Sequence, residues 1–355
     1  MKILHIITNT DLGGAQSVCI SLANEACKAG YTVALASMPD GYLWQALDKR
    51  VIQFRIKNMV KPIRPLADLR CLFELRNVIQ KFNPDVIHLH SSKAGALGRC
   101  VRKKFRSRII YTVHGFDSIR LRHRMFLPLE RLLQKRCAFI VPVSDYDKQN
   151  LLAEKITHNV RTIHNGVATP DIPHVCPFEK NGYKNVIMSI ARMSKQKRFD
   201  MFLQTASQAP MRENLFVWIG GSAEKTLEDI KREYTIPANV LLLGNYPNAS
   251  GLIAYCDLFV LFSNYEGLPM TVIEAMANGK AIVASAVGGM AELVNDTNGA
   301  LIQTSDEATR ALERILSDDS RLQEMETVSL KKYRDFFTVE KMWQKYKQLY
   351  TAVAK

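Results

Sequence analysis

Two glutamates separated by seven residues, Glu266 and Glu274, lie on either side of a predicted helix start. Backbone N–H groups at that start, near Thr271, could bind a diphosphate, whose negative charge the helix dipole favours. Gly267 would let the chain approach such a ligand closely. Glu274, about two turns further on, could accept hydrogen bonds from ribose hydroxyls. The alternative is two surface glutamates beside an ordinary helix N-terminus.

A cationic loop follows another predicted strand and contains Arg192 and Lys197, five positions apart. Arginine can hold phosphate oxygens in a fork, whereas lysine acts as a point charge. Charged loops are usually only solvated. These two cations therefore indicate phosphate binding only together with the residues around them.

Histidines occupy the ends of two predicted strands in the first half of the chain. His114 lies at a carboxyl end, where α/β sheets place their ligands, so we expect it to contact a ligand. His88 and His90 share one face of a strand, which makes a metal pair conceivable. No third ligand is evident in the sequence, so the pair alone does not predict a metal site.

The residues around the two glutamates closely resemble the signature of the retaining family-4 glycosyltransferases, which have the GT-B fold. The resemblance includes Glu266, Gly267, Pro269, Glu274, Ala275, Gly279, Ser285, Gly288, Gly289 and Glu292. Further matches follow in order over nearly the whole chain, beginning with residues 12–15. The resemblance implies transfer of a sugar from a nucleotide diphosphate with retention of configuration. It implies a UDP-sugar first and GDP-mannose second, with no cofactor and no bound metal.

The resemblance also implies roles for individual residues. The implied catalytic residues are His114, Glu266, Arg192 and Lys197. The implied donor-binding residues are Gly13, Gly14, Gly221, Gly244, Gly267, Leu268, Pro269, Met270, Thr271 and Glu274. Residues 88–95 are similar to a run in relatives that build bacterial surface polysaccharides, and the acceptor candidates are His90, Ser91, Lys93 and Asp117. A helix cap explains residues 91–95 equally well. Arg198 departs from the glycine of many relatives.

Short runs rich in Ile and Val alternate with longer helical patterns, which predicts doubly wound parallel sheets. The strand runs are residues 3–8, 32–36, 51–56, 86–90, 109–114, 139–144, 186–190, 215–220, 240–243, 258–262 and 281–285. A proline-bearing stretch over 168–184 divides the series. The predicted fold class is α/β with GT-B architecture. An acceptor-binding domain over 1–167 and a nucleotide-sugar-binding domain over 168–337 would face a central cleft, and the last helix, 338–355, would pack back on the first domain.

The positive charge is concentrated in the first half of the chain. The net charge is +14, and residues 1–170 alone carry 27 Lys and Arg against 12 Asp and Glu. Such a field indicates an anionic partner. We expect a lipid-linked, phosphate-bearing saccharide at an anionic membrane surface, docked through the basic cluster 102–108 and the segment 120–136. In that segment Met125 and Phe126 would face the membrane, and Leu129 and Leu133 the core.

Seven scattered cysteines without a Cys-x-x-Cys pair indicate free thiols in a reducing compartment. No signal peptide is evident, and no apolar stretch approaches the roughly 20 residues of a membrane span. We therefore expect a cytoplasmic protein, peripheral at the inner face of the cytoplasmic membrane. Two alternatives remain open: a nucleotide-sugar epimerase of the same architecture, and a basic nucleic-acid-binding protein. The second is disfavoured because aromatic residues for base stacking are not interleaved with the basic ones.

Overall fold

The computed structural model describes residues 1–11, 13–101, 103–222 and 225–354. The chain divides into two compact units, one formed by Met1–Gly166 with Val339–Lys355 and the other by Val167–Thr338. Each unit contains one six-stranded parallel sheet. The structure therefore confirms the predicted α/β class. Leu12, which begins the sequence resemblance, and Arg102, in the predicted basic cluster, lie outside the described residues.

The first sheet consists of fully parallel strands in the order β3-β2-β1-β4-β5-β6. Its strands are β1 Lys2–Ile7, β2 Thr32–Ser37, β3 Ile52–Arg55, β4 Val86–His90, β5 Ile109–Val113 and β6 Phe139–Pro142. Helices cover both faces of such a sheet, so its central strands are mainly apolar, with buried His5, His88 and His90 as polar exceptions. The order reverses between β1 and β4, and α/β sheets bind ligands at the carboxyl ends beside such a reversal.

The helices of the first unit connect these strands. They are α1 Gly14–Lys28, α2 Leu43–Ala46, α3 Pro65–Phe82, α4 Ser92–Arg99, α5 Asp117–Arg120, α6 Leu127–Leu133 and α7 Asp145–Ala153. Helix α3 begins with Pro65, whose missing N–H would be unpaired there, and ends before the left-handed Asn83. Helix α7 is capped by Ser144, whose hydroxyl accepts from the backbone N–H of Asp147.

The second sheet has the order β12-β11-β10-β7-β8-β9, again parallel throughout. Its strands are β7 Val186–Ile190, β8 Leu215–Ile219, β9 Val240–Gly244, β10 Leu258–Leu261, β11 Ala281–Ser285 and β12 Gly299–Ile302. Five of them were predicted, and β12 was not. The pairing of β10 with β7 places the loops that follow these two strands side by side.

The helices of the second unit are α8 Phe199–Ser207, α9 Leu227–Glu233, α10 Ala249–Leu252, α11 Met270–Ala277, α12 Met290–Leu293, α13 Ser305–Leu316 and α14 Asp319–Phe336. Helix α11 starts directly after Pro269 and buries most of its length, including Val272 and Ile273. It packs against α14. The position of α11 is therefore fixed by the core, which leaves its first turn and the partly exposed Glu274 available to a ligand.

The last helix, α15 Val339–Val353, belongs to the first unit. It buries an aromatic face, and the hydroxyl of Tyr346 lies 2.9 Å from Thr112 Oγ1 on β5. Tyr350 contacts His88 on β4 in the same way, at 2.7 Å. Within the described residues, no helix is both long and apolar enough to cross a membrane.

Candidate active site

The loop after β7 is attached to the loop after β10 through an ion pair between Lys197 and Glu266. Lys197 Nζ lies 2.6 Å from Glu266 Oε1, and the hydroxyl of Ser263 donates to the same oxygen at 2.6 Å. Both charged side chains are nearly buried, with 14% and 8% of their surfaces exposed. The side-chain amide nitrogen of Asn264 donates a hydrogen bond to the backbone carbonyl of Lys195 at 2.7 Å. The two loops therefore form one ordered surface.

Two glycines, Gly288 and Gly289, pack against the backbone of the loop that carries Glu266. Gly288 has a φ of +59°, and a Cβ at this position would overlap the backbone carbonyl of Glu266. The N–H of Gly289 donates to the carbonyl of Gly267 at 2.9 Å. Gly288 thus fixes the backbone of Glu266 because no other residue type fits so close to it, and Gly289 contacts Gly267 through its backbone N–H.

Arg192 is an unpaired cation on the described part of this surface. Its side chain is exposed and, among the residues that the structure describes, has no hydrogen-bond or ion-pair partner. It differs from Lys197, which already binds a carboxylate. Arg192 could therefore hold two oxygens of an incoming phosphate without breaking an existing contact.

The predicted helix start is confirmed at α11, which begins at Met270. The first N–H groups of a helix have no partner within it, and Ile273 donates to the carbonyl of Pro269 only at 3.4 Å. The hydroxyl oxygen of Thr271 is buried, with no hydrogen-bond partner in the described part of the chain. Leu268, Pro269 and Met270 are buried, so only their backbone is suited to contact a donor.

Glu274 follows on the same helix as a partly buried carboxyl group. Its burial raises its pKa from 4.5 to about 7. No described residue forms a hydrogen bond or ion pair with its carboxylate. Such a group gains hydrogen bonds when a ligand with hydroxyls binds beside it, which is the interaction predicted for the ribose.

The glycines after β8 and β9 join the ends of three strands. Gly220, at a φ of +128°, approaches the carbonyl of Ala191 and donates its N–H to the carbonyl of Gly244 at 2.7 Å. The N–H of Gly221 donates to Asn245 Oδ1 at 2.9 Å. These contacts are structural, and donor binding by Gly221 and Gly244 stays a prediction.

In the first unit, Gly13 and Gly14 lie at the start of α1, after β1. Gly13 has an extended φ of 176° and Gly14 is the first helical residue, so first-turn N–H groups are present beside the reversal of strand order. A Cβ on Gly13 would meet only the flexible end of Gln16. Close approach of a ligand is therefore a better reason for glycine here than packing.

The predicted acceptor residues have partners within their own unit. Lys93 Nζ donates to the carbonyls of Val60 and Pro62, both at 2.7 Å, and pairs with Asp68 at 2.5 Å. The Ser91 hydroxyl lies 2.8 Å from that of Thr8. These contacts explain Lys93 and Ser91 as structural residues, and acceptor binding by either stays a prediction.

Asp117 and His90 are also engaged. Asp117 is buried, pairs with Arg120 at 2.8 Å and accepts from the hydroxyl of Tyr146 at 3.0 Å. His90 has no exposed surface, and its two ring nitrogens lie 3.2 Å from His5 Nδ1 and 3.1 Å from His114 Nε2. His114 itself is partly exposed, and burial lowers its pKa to about 4.

Sequence reasoning missed His5 and Cys19, which lie beside His90. The three residues bring potential ligand atoms within 4.8 Å of one another, all of them buried. The pairing of β1 with β4, which aligns His5 with His88, places the rings together. A histidine in each of two adjacent parallel strands was the available signal, but it becomes meaningful only once the strand order is known.

Comparisons with known proteins agree with this architecture. Residues 12–170 match the family model described as Glycosyltransferase Family 4, and residues 177–331 match that of Glycosyl transferases group 1. The fold and these two matches define an enzyme that transfers sugars. The chain belongs to the family-4 glycosyltransferases with the GT-B fold.

Individual relatives match along nearly the whole chain. The chain is 27% identical to the UDP-Gal:alpha-D-GlcNAc-diphosphoundecaprenol alpha-1,3-galactosyltransferase of Escherichia coli, covering 99% of this chain and 96% of that protein. It is 24% identical to a Campylobacter jejuni N-acetyl-D-galactosaminyltransferase named for a diNAcBac-PP-undecaprenol-linked substrate, covering 95% and 94%. The crystal structure of Anabaena Alr3699/HepE in complex with UDP and glucose is similar in fold, with a TM-score of 0.84, 20% identity and 99% of both chains covered.

Proposed function

We propose that this chain is a retaining glycosyltransferase that moves a sugar from a UDP-sugar to a hydroxyl of a lipid-linked saccharide during surface polysaccharide synthesis. One observation carries the proposal: the Lys197–Glu266 pair, the open Arg192 and the first turn of α11 lie on adjoining loops at the carboxyl edge of one sheet. This edge is where a parallel sheet binds its ligand.

The donor diphosphate would lie between the two cations and the helix start. Arg192 would hold two of its oxygens, while Lys197, with three N–H groups, could keep Glu266 and still donate to a phosphate. The charge of the leaving diphosphate grows as the bond to the sugar breaks, so these donors would stabilise the transition state. The relative named for UDP-Gal supports a UDP-sugar.

The proposed retention of configuration rests on the family resemblance, and the state of Glu266 bears on how retention would occur. Its Oε1 already accepts from Lys197 and Ser263, which lowers its reactivity as a covalent nucleophile. We infer that the acceptor hydroxyl attacks on the same face as the departing diphosphate. The new C1–O bond then forms as the C1–O bond to phosphate breaks, and the acceptor proton passes to the leaving phosphate oxygen.

We also propose that this reaction needs no divalent metal and no cofactor. In this proposal Arg192, Lys197 and the N-terminus of α11 supply the positive charge that a metal would otherwise bring to the diphosphate. The nucleotide sugar is then a substrate bound by the protein alone.

A lipid-linked acceptor is supported by the names of the relatives and by the basic first unit. It implies attachment to the inner face of the cytoplasmic membrane. The predicted docking segment 120–136 is partly suited to this: Met125 is 79% exposed and Leu133 is buried, but Leu129, predicted in the core, is 40% exposed. Two of its arginines, Arg124 and Arg131, bind Glu154.

A second surface on the first unit has better-placed charges. We call it the α3 stripe: the exposed apolar side chains Ile63, Leu66, Leu69 and Phe73 with the cations Lys61, Arg64 and Arg70. In the described residues these three cations have no ion-pair partner, whereas the neighbouring Asp68 is bound by Lys93. An apolar stripe bordered by free cations suits an anionic bilayer. We therefore include the α3 stripe in the proposed membrane contact.

The function is tested by incubating the protein with UDP-galactose, UDP-glucose, UDP-N-acetylglucosamine or GDP-mannose and a short-chain prenyl diphosphate N-acetylglucosamine acceptor. We expect one UDP-sugar to give an α-linked product, identified by NMR of the anomeric proton. Conversion of the donor into a different nucleotide sugar in the absence of acceptor would indicate the epimerase alternative. A β-linked product would refute retention. Thermal shifts identify the donor independently, because a ligand at 100 times its Kd stabilises by about 2.7 kcal/mol.

Membrane contact is tested by co-sedimentation with phosphatidylglycerol vesicles at low and high salt. The double variant Leu66→Ser with Phe73→Ser should reduce vesicle binding. Met125→Ser should show how much the predicted segment 120–136 contributes to that binding. Unchanged binding in both variants, or no binding of the wild type at low salt, would exclude both surfaces.

A further inference from the structure

Three imidazoles in the first unit form a hydrogen-bonded row, which we call the histidine row: His5, His90 and His114. His5 lies on β1, His90 ends β4 and His114 follows β5. His5 Nδ1 lies 3.2 Å from His90 Nε2, and His90 Nδ1 lies 3.1 Å from His114 Nε2. The row thus runs from a fully buried ring to the partly exposed His114.

His88 is adjacent to the row without belonging to it. Its ring centroid is 4.0 Å from that of His90. Its Nδ1 lies 2.7 Å from the hydroxyl of Tyr350 and its Nε2 lies 2.7 Å from Thr112 Oγ1. Both nitrogens of His88 therefore have hydroxyl partners, so this histidine provides a matched buried control.

All three rings of the row are neutral at physiological pH. Burial lowers the pKa of His5 to about 3 and that of His114 to about 4, and it lowers the pKa of His90 well below its usual value. A neutral imidazole donates at one nitrogen and accepts at the other. The position of the proton on one ring therefore determines its position on the next.

Two arrangements satisfy both hydrogen bonds. In the first, each ring carries its proton on Nδ1, and His5 Nε2 is left without one. In the second, each ring carries its proton on Nε2, so His5 Nε2 becomes a donor. This nitrogen is buried and has no partner in the part of the chain that the structure describes.

The surroundings of His5 Nε2 favour the first arrangement. A buried N–H without an acceptor is costly. Cys19 has its sulfur within 4.8 Å of a His5 nitrogen, and a thiol sulfur is only a weak acceptor, so it would compensate a buried N–H poorly. In this arrangement the proton of His114 lies on Nδ1, a nitrogen that forms no hydrogen bond with any described residue.

We propose that His5 and His90 are positioning residues that keep the proton of His114 on Nδ1, so that His114 meets its sugar ligand as a neutral hydrogen-bond donor. The identity of the ligand rests on the proposed function. A nitrogen that already carries a proton cannot take one from the acceptor hydroxyl. The row therefore agrees with proton transfer to the leaving phosphate.

The direct test is the tautomer of His114, read from ¹⁵N and ¹H–¹⁵N spectra of protein labelled only at its eight histidines and assigned with His114→Gln. In the wild type at neutral pH we expect the proton on Nδ1. In His90→Phe the row is broken, so the Nε2-protonated form that free imidazole side chains prefer should become the major one. We expect kcat to fall about tenfold, the equivalent of one hydrogen bond in the transition state.

His88→Gln is the control, expected to lower the melting temperature while leaving the His114 spectrum unchanged. A wild-type proton on Nε2, or an unchanged tautomer in a folded His90→Phe protein, would overturn the proposal. If the wild type binds stoichiometric zinc and Cys19→Ala does not, these histidines form a metal site and the proposal is wrong. If His90→Phe does not fold, the position of the His114 proton in the wild-type spectrum is by itself the test of the proposal. This spectrum is recorded without donor or acceptor. The tautomer result therefore does not depend on whether sugar transfer is observed.

Discussion

Replacing Glu274 by glutamine should stabilise the ligand-free protein above neutral pH and weaken donor binding at the same time. The carboxyl group is partly buried, and no described residue compensates its charge. Glutamine keeps the shape and removes the charge. The substitution therefore separates the cost of a buried carboxylate from its use as an acceptor for ribose hydroxyls.

The magnitude follows from the pKa, which burial raises from 4.5 to about 7. Between these values the folded protein binds more protons than the unfolded chain, so the wild type loses stability as the pH rises from about 4.5 to about 7. At about 1.36 kcal/mol for each pKa unit, the loss is at most about 3 kcal/mol and is complete above pH 7. The Glu274→Gln protein lacks this decline.

The assay is a melting curve at about half-unit steps from pH 5 to pH 8.5 without ligand. The melting temperature of Glu274→Gln should exceed that of the wild type by several degrees at high pH, with the difference shrinking toward pH 5. Glu228→Gln, an exposed glutamate of the same unit, is the control and should follow the wild type. Parallel curves for wild type and Glu274→Gln would refute the reasoning.

The same protein should bind UDP-sugar more weakly by roughly 1.5–3 kcal/mol, or about tenfold to a hundredfold. Titration calorimetry at pH 8, where the wild-type group is charged, measures this loss. Unchanged affinity would remove Glu274 from the donor site even if the stability result holds.

Other substitutions address the remaining parts of the site. Arg192→Ala and Lys197→Ala should each lower kcat as well as kcat/KM, because leaving-group charge grows toward the transition state; wild-type kinetics in both would contradict the phosphate assignment. EDTA should leave sugar transfer intact, and activity that is lost and then restored by Mg²⁺ or Mn²⁺ would contradict the metal-free proposal. Gly288→Ala should cost about 1–3 kcal/mol of stability and reduce kcat by displacing Glu266. Gly182→Ala, at a φ of +80° but in open space, measures the backbone strain alone.

Much of the fold could be predicted because the buried parallel strands are runs of mainly apolar residues. Two of the missed elements, β12 and α14, have clear physical causes. Strand β12 has only four residues and begins with Gly299, where a Cβ would overlap the carbonyl of Ile282, so its sequence lacks the usual strand composition. Helix α14 buries only Met325, Ser329 and Tyr333 over 18 residues, so its apolar periodicity is weak.

In the second unit, the sequence predicted several residues of the candidate site but not their pairing. Lys197 and Glu266 were each predicted from their own loops, as a phosphate contact and a sugar contact. Their ion pair depends on β10 lying next to β7, a neighbour relation that skips β8 and β9 in the chain. Ser263 was missed for the same reason, since a lone serine after a strand gains a role only when its hydroxyl reaches Glu266.

In the first unit, sequence similarity and local contact lead to different interpretations of the same residues. Lys93 suits a phosphate by its charge, yet its ammonium group already has three oxygen partners in the loop before α3 and on α3 itself. A phosphate at Lys93 would have to replace these contacts, and the cost of leaving Asp68 unpaired would oppose binding. His114 has no such competitor at Nδ1, and its Nε2 is held by His90. The acceptor side of this enzyme is therefore better sought around His114 than around Lys93, which positions the loop that carries the α3 stripe.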